Sequence, residues 1–265
     1  AADDGNLTFS CRTNAAHPFR FVTGQLTGSY DPEPVATAKN VVVVGAGPAG
    51  LEAARVAAER GHSVTLYEKK GSVGGLLEFA NNVKGPHENL SVLRSYFERQ
   101  MEVLGVNVML NTEATADIIA EASPDIVIAA TGGVRDTLGL SDTAGTKVAG
   151  IDDFMMADIA EEVVIVGSNV QAIDAAMYLL AQGKHVQVVT PNAASAIGAG
   201  HSFWVKTFTQ PNMKALGVRF WPEATVTAVN DGSVTVKTAT GIEQEIACGT
   251  VVEALDCLPN DNLST

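Results

Sequence analysis

The sequence predicts an α/β fold with two parallel sheets, each flanked by helices on both faces, and a small antiparallel β meander. Three observations predict it. Short apolar strands alternate with amphipathic helices from Asn40 to Ala130, an order that gives parallel sheets with helical faces. The strand–turn–helix–strand pattern recurs from Glu162 to Thr190. After Val218 the chain turns to short alternating strands joined by polar turns such as Asn230-Asp231-Gly232, which is typical of a meander.

The first repeat contains a glycine-rich turn between a buried strand, Val41 to Val44, and a helix that runs to about Arg60. The turn reads Gly45-Ala46-Gly47-Pro48-Ala49-Gly50. Gly45 allows a tight exit from the strand, Gly47 has no side chain to block a pyrophosphate, and Gly50 lets the helix pack closely on the sheet. Free N–H groups and the positive end of the helix dipole would then face the phosphates.

Glu68 ends the second strand of this repeat, eighteen residues after Gly50. A carboxylate at that place accepts hydrogen bonds from the hydroxyls of an adenosine ribose. A GxGxxG pattern alone is weak, but strand, turn, helix, strand and terminal acid all fall in register here. These residues predict a Rossmann-like domain that binds an adenine dinucleotide.

Two further segments of this domain have the composition of ligand-binding turns. The first reads Lys69-Lys70-Gly71-Ser72-Val73-Gly74-Gly75-Leu76-Leu77, and its glycines let a backbone approach a ligand. In the second, the buried strand Asp125 to Ala130 ends in Thr131-Gly132-Gly133. Ordinary turn chemistry remains the alternative for both segments.

The second repeat keeps the pattern but not the full set of glycines. Gly167 retains the first glycine, whereas Asn169 stands at the second glycine position and Ala172 at the third. Alanine is tolerated at the third position, but a side chain at the second lies where a pyrophosphate must come close. The strand end at Thr190 offers neither an acid for a ribose nor an arginine for a 2′-phosphate. We interpret this repeat as a degenerate NAD(P)-type Rossmann domain whose nicotinamide site is weakened or lost.

These patterns divide the chain into three parts. Residues 1–39 are predicted to be an extended lead-in, with Asp31-Pro32-Glu33-Pro34 as the linker. Residues 40–133 form the first dinucleotide-binding domain, to which we assign a return strand at about residues 249–260. Residues 134–248 form the second, degenerate domain.

Composition argues against several kinds of function. The 265 residues carry a net charge of −13, and because nucleic-acid binding requires a basic surface, no nucleic-acid partner is expected. No apolar run predicts a membrane span. The three cysteines contain no CxxC pair and the five histidines do not cluster in sequence, so neither a metal site nor a catalytic side chain is predicted. A soluble protein of the reducing cytoplasm is expected.

The quoted motifs resemble a known group of flavoproteins. VVVVGAGPAGLEAA, Glu68, the Gly74-Gly75 turn and the AATGG strand end are similar to flavoproteins with two dinucleotide-binding domains. RGHSVTLYE, LNTEATAD and IAATGG most resemble the C-terminal half of the iron–sulfur old-yellow-enzyme branch, which includes dienoyl-CoA reductase and trimethylamine dehydrogenase. The resemblance covers about residues 11–260 and is strongest from 40 to 133.

The resemblance implies that the first domain holds FAD, or a bare ADP as in the trimethylamine dehydrogenase type. The implied cofactor-binding residues belong to the glycine turn, the ribose acid, the second glycine segment, the adenine contact and the end of the last strand: Gly45, Gly47, Pro48, Ala49, Gly50, Glu68, Lys69, Gly75, Leu76, Ala114, Thr131 and Gly132. No catalytic side chain is implied, because flavin and nicotinamide carry the chemistry themselves.

The same resemblance implies a partner chain or domain that carries FMN, an iron–sulfur cluster, or both. In that branch a final cluster cysteine precedes the glycine turn, and Cys11-Arg12-Thr13-Asn14 fits its position. A cubane cluster needs four thiolates, so the other three would come from another segment. Cys11 is therefore a leftover ligand, a ligand shared with a partner segment, or a free thiol.

Two departures from the family leave three functions open. No Gly-Asp motif for the flavin follows Asn260, and no FMN-binding barrel is present in this sequence. The leading prediction is an FAD-binding electron-transfer module of an oxidoreductase. The first alternative is a non-catalytic domain that holds ADP or AMP as a structural ligand, and the second is an NAD(P)H-dependent reductase. Asn169, Thr190 and the missing Gly-Asp motif favour the first alternative over the second.

Overall fold

The computed structural model of this chain describes residues 7–11, 14–22, 25–26, 34–85, 89–260 and 263. It divides into two compact units, Ala1–Gly132 with Asn260–Thr265, and Gly133–Pro259. The backbone near the N-terminus forms a three-stranded antiparallel sheet, composed of β1 (Leu7–Cys11), β2 (Asn14–Val22) and β3 (Gln25–Leu26). The expected lead-in therefore contains paired strands, and residues 31–33 of the expected linker lie outside the described residues.

The first unit contains a four-stranded parallel sheet in the order β6-β5-β4-β7. Its helices and strands are β4 (Asn40–Val44), α1 (Pro48–Glu59), β5 (Ser63–Tyr67), α2 (Leu77–Lys84), α3 (Leu90–Val103), β6 (Asn107–Met109), α4 (Ala116–Glu121) and β7 (Ile126–Ala129). The central strand β4 is apolar at four consecutive positions because both of its faces are covered. Val41 and Val43 pack with Leu51 of α1 and Phe97 of α3 on one face. The other face packs against a second cluster that includes Ala114.

The second unit contains a five-stranded parallel sheet in the order β12-β11-β10-β16-β9. Its elements are β8 (Gly133–Arg135), β9 (Lys147–Gly150), β10 (Glu162–Val166), α5 (Val170–Ala181), β11 (His185–Val189), α6 (Phe203–Ala215), β12 (Arg219–Trp221), β13 (Ala224–Asn230), β14 (Ser233–Thr238), β15 (Glu243–Ala247), β16 (Thr250–Glu253) and β17 (Cys257–Pro259). Strands β13, β14 and β15 form the predicted antiparallel meander. Val226, Val234 and Ile246 of the meander pack against Val164 and Val251 of the parallel sheet.

The return strand corrects one expectation from the sequence. The strand expected at about residues 249–260 was assigned to the first domain, but β16 pairs in parallel with β10 and with β9 of the second unit. Strand β17 pairs with β8, also in the second unit. Of the C-terminal part of the chain, only Asn260–Thr265 belongs to the first unit. The assignment failed because an apolar strand of four residues carries no local signal for its pairing partner.

Neither a membrane-spanning helix nor a cluster of metal-ligating side chains occurs in the described residues. No helix there is long and apolar enough to cross a membrane. No group of three or more His, Cys, Asp and Glu side chains that could hold a metal ion occurs in the described part of the chain. The side chain of Cys11 lies outside the described residues.

Candidate nucleotide-binding site

The glycines of the first unit's turn are of two kinds: Gly45 and Gly50 are closely packed, whereas Gly47 borders open space. Gly45 has φ 100°, and a Cβ added to it would overlap the carbonyl oxygen of Ala130. A Cβ on Gly50 would overlap the carbonyl oxygen of Gly45. A Cβ on Gly47, in contrast, would meet no atom within 4 Å. Gly45 and Gly50 are therefore required for packing, whereas the absence of a side chain at Gly47 leaves room for a ligand.

The N-terminus of α1 is not capped by a side chain. Gly47 is the N-cap residue and Pro48 occupies the first turn. Pro48 has no N–H, and the N–H groups of Ala49 and Gly50 are in the first turn, where they have no intrahelical acceptor. The positive end of the helix dipole adds to these donors. The start of α1 can therefore hold an anion such as a pyrophosphate.

Glu68 is buried and immediately follows β5. Its Oε2 accepts a hydrogen bond from the N–H of Ala46 at 2.8 Å, and its Oε1 accepts one from the N–H of Lys70 at 2.8 Å. An ionised carboxylate offers about four lone-pair sites, so each oxygen retains a second site. Glu68 thus fixes the turn and still offers acceptors for ribose hydroxyls.

The second glycine segment lies against the glycine turn. Gly74 donates its N–H to the carbonyl oxygen of Ala46 at 2.8 Å. A Cβ on Gly75 would lie 3.1 Å from the Cα of Gly47. Both glycines have positive φ, 114° at Gly74 and 53° at Gly75. Leu76, which follows them as the N-cap of α2, is 44% exposed. The structure therefore brings this segment to the turn.

Three other predicted residues have different surroundings. Lys69 is exposed next to Glu68. Ala114 is buried in the cluster with Val42 and Val44, so only its backbone is available for the adenine contact that the resemblance implies. Thr131 donates its hydroxyl hydrogen to the carbonyl oxygen of Asn260 at 2.6 Å.

Gly132 lies beside Thr131 at the end of the last strand. It has φ 71°, and its carbonyl oxygen accepts from the N–H of Asn260 at 3.1 Å. Thr131 and Gly132 are therefore hydrogen-bonded to the backbone C=O and the backbone N–H of Asn260, respectively. The sequence analysis named Asn260 only as the last residue of the region of resemblance and gave it no role in the site.

The equivalent turn of the second unit is closed by its own residues. Asn169 is the N-cap of α5, and its Oδ1 accepts from the N–H of Ala172 at 3.0 Å. Its Nδ2 donates to the carbonyl oxygens of Ala254 at 3.0 Å and Leu255 at 3.2 Å. The side chain therefore occupies the place that Gly47 leaves open in the first unit. The N-terminus of α5 is therefore capped by a side chain of the protein itself.

The residue equivalent to Glu68 is Thr190, since each lies 23 residues after the first glycine of its turn. Thr190 is fully buried, and its Oγ1 accepts from the N–H of Asn192 at 3.2 Å. The link from this strand end to the turn is made instead by Asn192, whose Nδ2 donates to Ser168 Oγ at 3.0 Å. These groups hydrogen-bond one another and offer no carboxylate to a ribose.

A loop of the second unit also contacts its turn, a role that sequence reasoning missed. Gly198 donates its N–H to the carbonyl oxygen of Ser168 at 2.7 Å, as Gly74 does to Ala46 in the first unit. Ala199 forms a parallel bridge with Asn169. The signal that could have found this loop is spacing, because Gly198 follows Gly167 by 31 residues and Gly74 follows Gly45 by 29.

Comparison with known proteins agrees with the fold. The NADH oxidase of Thermoanaerobacter brockii is 39% identical over 157 residues, 57% of this chain and 24% of that protein. The dimethylamine dehydrogenase of Hyphomicrobium sp. (strain x) is 28% identical over 217 residues, 77% of this chain and 28% of that protein. The solved structure of 2-naphthoyl-CoA reductase with 2-naphthoyl-CoA superposes with a TM-score of 0.78 and 32% identity, covering 96% of this chain and 38% of that one.

The fold is of the Rossmann type, with two units that each contain the strand–turn–helix–strand pattern. A profile of the pyridine nucleotide-disulphide oxidoreductases matches residues 39–264, and the chain belongs to that family. The relatives confirm the resemblance to the iron–sulfur old-yellow-enzyme branch. The chain spans about a quarter of the length of the two curated relatives.

Proposed function

We propose that this chain is the FAD-binding electron-transfer module of a flavin-dependent oxidoreductase. The single observation that carries the proposal is the pairing of an uncapped helix start at Gly47 with the carboxylate of Glu68. The N–H groups of α1 would hold the pyrophosphate, and the remaining acceptor sites of Glu68 would hold the adenosine ribose. Bound flavin would supply the redox chemistry, and the protein would supply position and electrostatics.

The second unit does not supply a nicotinamide site in this proposal. Asn169 caps α5, and Thr190 replaces the ribose acid. NAD(P)H binding at this unit would require both the cap and the bond between Asn192 and Ser168 to break. Electrons therefore enter or leave the flavin through another redox centre, which we assign to a partner chain or domain that carries FMN or an iron–sulfur cluster.

The second candidate function is a structural domain that holds ADP or AMP without redox chemistry. The closed turn of the second unit favours it, because no site for a nicotinamide electron donor accompanies the nucleotide of the first unit. Both candidates use the same contacts at Gly47 and Glu68. They differ in what the nucleotide carries beyond its adenosine and the phosphate attached to it.

Absorbance spectroscopy of the purified chain, followed by mass spectrometry of what acid releases, separates the two candidates. Maxima at about 370 and 450 nm with FAD in the supernatant are expected for the electron-transfer module. A colourless protein that releases ADP or AMP would overturn that proposal and support the structural domain. The Gly47→Asn variant is the matched control, because a ligand held at the turn should be absent from it.

A further inference from the structure

The side-chain amide oxygen of Asn260 is buried and has no hydrogen-bond partner among the described residues. The backbone of the same residue is held by two hydrogen bonds, from its N–H to Gly132 O at 3.1 Å and from Thr131 Oγ1 to its own carbonyl oxygen at 2.6 Å. A buried acceptor without a donor costs about 1–3 kcal/mol. A residue that is fixed in place and still keeps such an atom calls for a donor that the described residues do not supply.

Asn260 lies at the side of the glycine turn opposite to Glu68. In the sheet order β6-β5-β4-β7, the turn follows β4, Glu68 follows β5 and Thr131 follows the end of β7. A Cβ on Gly45 would lie 3.4 Å from the N atom of Thr131, so the β7 side borders the turn directly. A dinucleotide with its pyrophosphate on the turn and its adenosine at Glu68 would direct its other half toward the β7 side.

The chemistry of the missing donor distinguishes the two nucleotides. ADP ends at its pyrophosphate, whose ionised oxygens accept hydrogen bonds and donate none. The flavin half of FAD continues from the pyrophosphate into a ribityl chain that carries hydroxyl groups. Of the two nucleotides, only FAD carries hydroxyl donors beyond the pyrophosphate, on the side away from the adenosine, and such a hydroxyl can donate to an amide oxygen.

We propose that Asn260 is a specificity-determining residue that accepts a hydrogen bond from the ribityl chain, so that the site prefers complete FAD to ADP. This inference rests on the proposed function. If the amide is turned round, Nδ2 faces the ligand and donates to a phosphate oxygen instead. That orientation would favour both nucleotides equally.

The test compares the affinities of FAD and ADP by isothermal titration calorimetry for the wild type and for Asn260→Leu and Asn260→Asp. Asn260→Leu removes the acceptor, so the ratio of the Kd for ADP to the Kd for FAD should fall about tenfold. Asn260→Asp keeps an acceptor and should preserve the wild-type ratio, even if its charge weakens both ligands. Asn212→Leu, at an exposed position of α6, is the matched control. Asn260→Ala replaces Asn260→Leu if circular dichroism shows the larger variant to be unfolded.

The outcomes separate this inference from the proposed function. An unchanged ratio in Asn260→Leu, whether both affinities fall together or neither changes, would overturn the role of Asn260 and leave FAD binding intact. A wild type that binds ADP but not FAD would overturn both the role of Asn260 and the electron-transfer module. A wild type that binds neither nucleotide would also remove the basis of both proposals.

Discussion

Gly47 and Asn169 have the same backbone conformation at equivalent places in the two Rossmann units. Gly47 has φ −72° and ψ 177°, and Asn169 has φ −73° and ψ 179°. Each is the N-cap of its helix, but only Asn169 caps with its side chain. One side chain therefore decides whether a helix N-terminus is available to a ligand or satisfied by the protein itself.

Gly47→Asn should abolish nucleotide binding without unfolding the first unit. The position has extended backbone and open space around its Cβ, so the side chain fits and can cap α1. Asparagine is a favoured N-cap, but glycine is nearly as good, so the free energy of unfolding should stay the same or rise by about 0.3 kcal/mol. Titration calorimetry with FAD and ADP, together with urea unfolding, measures both effects. Wild-type affinity in this variant would show that the pyrophosphate does not lie at the turn.

The reverse change, Asn169→Gly, should destabilise the second unit without creating a nicotinamide site. Loss of the amide hydrogen bonds to Ala254 and Leu255 should lower the free energy of unfolding by about 1–2 kcal/mol. NADH should still not bind, because Thr190 and the bond between Asn192 and Ser168 are unchanged. NADH fluorescence and urea unfolding test this, and tight NADH binding in the variant would contradict it.

Glu68→Gln should weaken adenine nucleotides by more than it weakens the fold. The substitution removes the charge and points an NH₂ group at one of the two backbone donors, Ala46 N or Lys70 N. Charge-assisted hydrogen bonds contribute about 1.5–3 kcal/mol, so the Kd should rise about 10- to 150-fold. Glu98→Gln, at the exposed ion pair with Arg94, is the control. Equal Kd values for ADP in the Glu68 variant and the wild type would remove Glu68 from the site.

Gly45→Ala and Gly61→Ala should separate the cost of a positive φ from the cost of a steric overlap. The two glycines have nearly equal φ, 100° and 95°, but only at Gly45 would a Cβ overlap Ala130 O. Gly61→Ala should cost about 1–2 kcal/mol from its conformation alone. Gly45→Ala should cost clearly more, or prevent folding. Urea unfolding measures the difference, and equal costs would mean that the turn can move away from Ala130.

The stability of the second unit should depend on pH through His185. A hydrogen bond to the Glu162 carboxylate, and then the charge of that carboxylate, raises the pKa of the exposed His185 above its ordinary value. Because this pKa is higher in the folded than in the unfolded state, the contribution is fully present below the unfolded pKa. It is lost as the pH rises through the folded pKa. Glu162→Gln should therefore lower Tm relative to the wild type at about pH 6, and much less at about pH 9.

The control for this prediction is Glu161→Gln, which removes a smaller charge contribution to the same histidine. Its effect on Tm should be smaller than that of Glu162→Gln at the lower pH. A Tm difference for Glu162→Gln that is the same at both pH values would show that the pair acts without proton uptake by His185.

The strands and helices of the two repeats could be predicted because local sequence determines them. The predicted strand Val41 to Val44 lies within Asn40–Val44, and the helix predicted to end near Arg60 ends at Glu59. Strand pairing was not predictable in the same way. Thr250–Glu253 was assigned to the wrong sheet because its four residues look the same whichever neighbours they pair with. Helix Leu77–Lys84 was missed because it is only eight residues long and follows a glycine-rich segment.

The residues of the candidate site also differ in whether local sequence or a long-range contact determines their place. Gly45, Gly47 and Glu68 could be found because each residue type has one physical reason to stand at its position. Asn260 could not be found, because its place beside Thr131 results from a contact between residues 129 positions apart. The decay of the second turn was visible at Asn169, but the bond between Asn192 and Ser168 that completes it was not.

The amide cap of Asn169 makes the stability of the second unit differ from that of the first in its dependence on a ligand. A helix end that is completed by the protein has a stability that does not depend on a bound ligand. In our proposal the helix end at Gly47 is completed only by a cofactor, and binding to the native state adds about 2.7 kcal/mol at a ligand concentration 100 times Kd. The lifetime of the first unit would then follow the local supply of cofactor, while the second unit would survive a shortage unchanged.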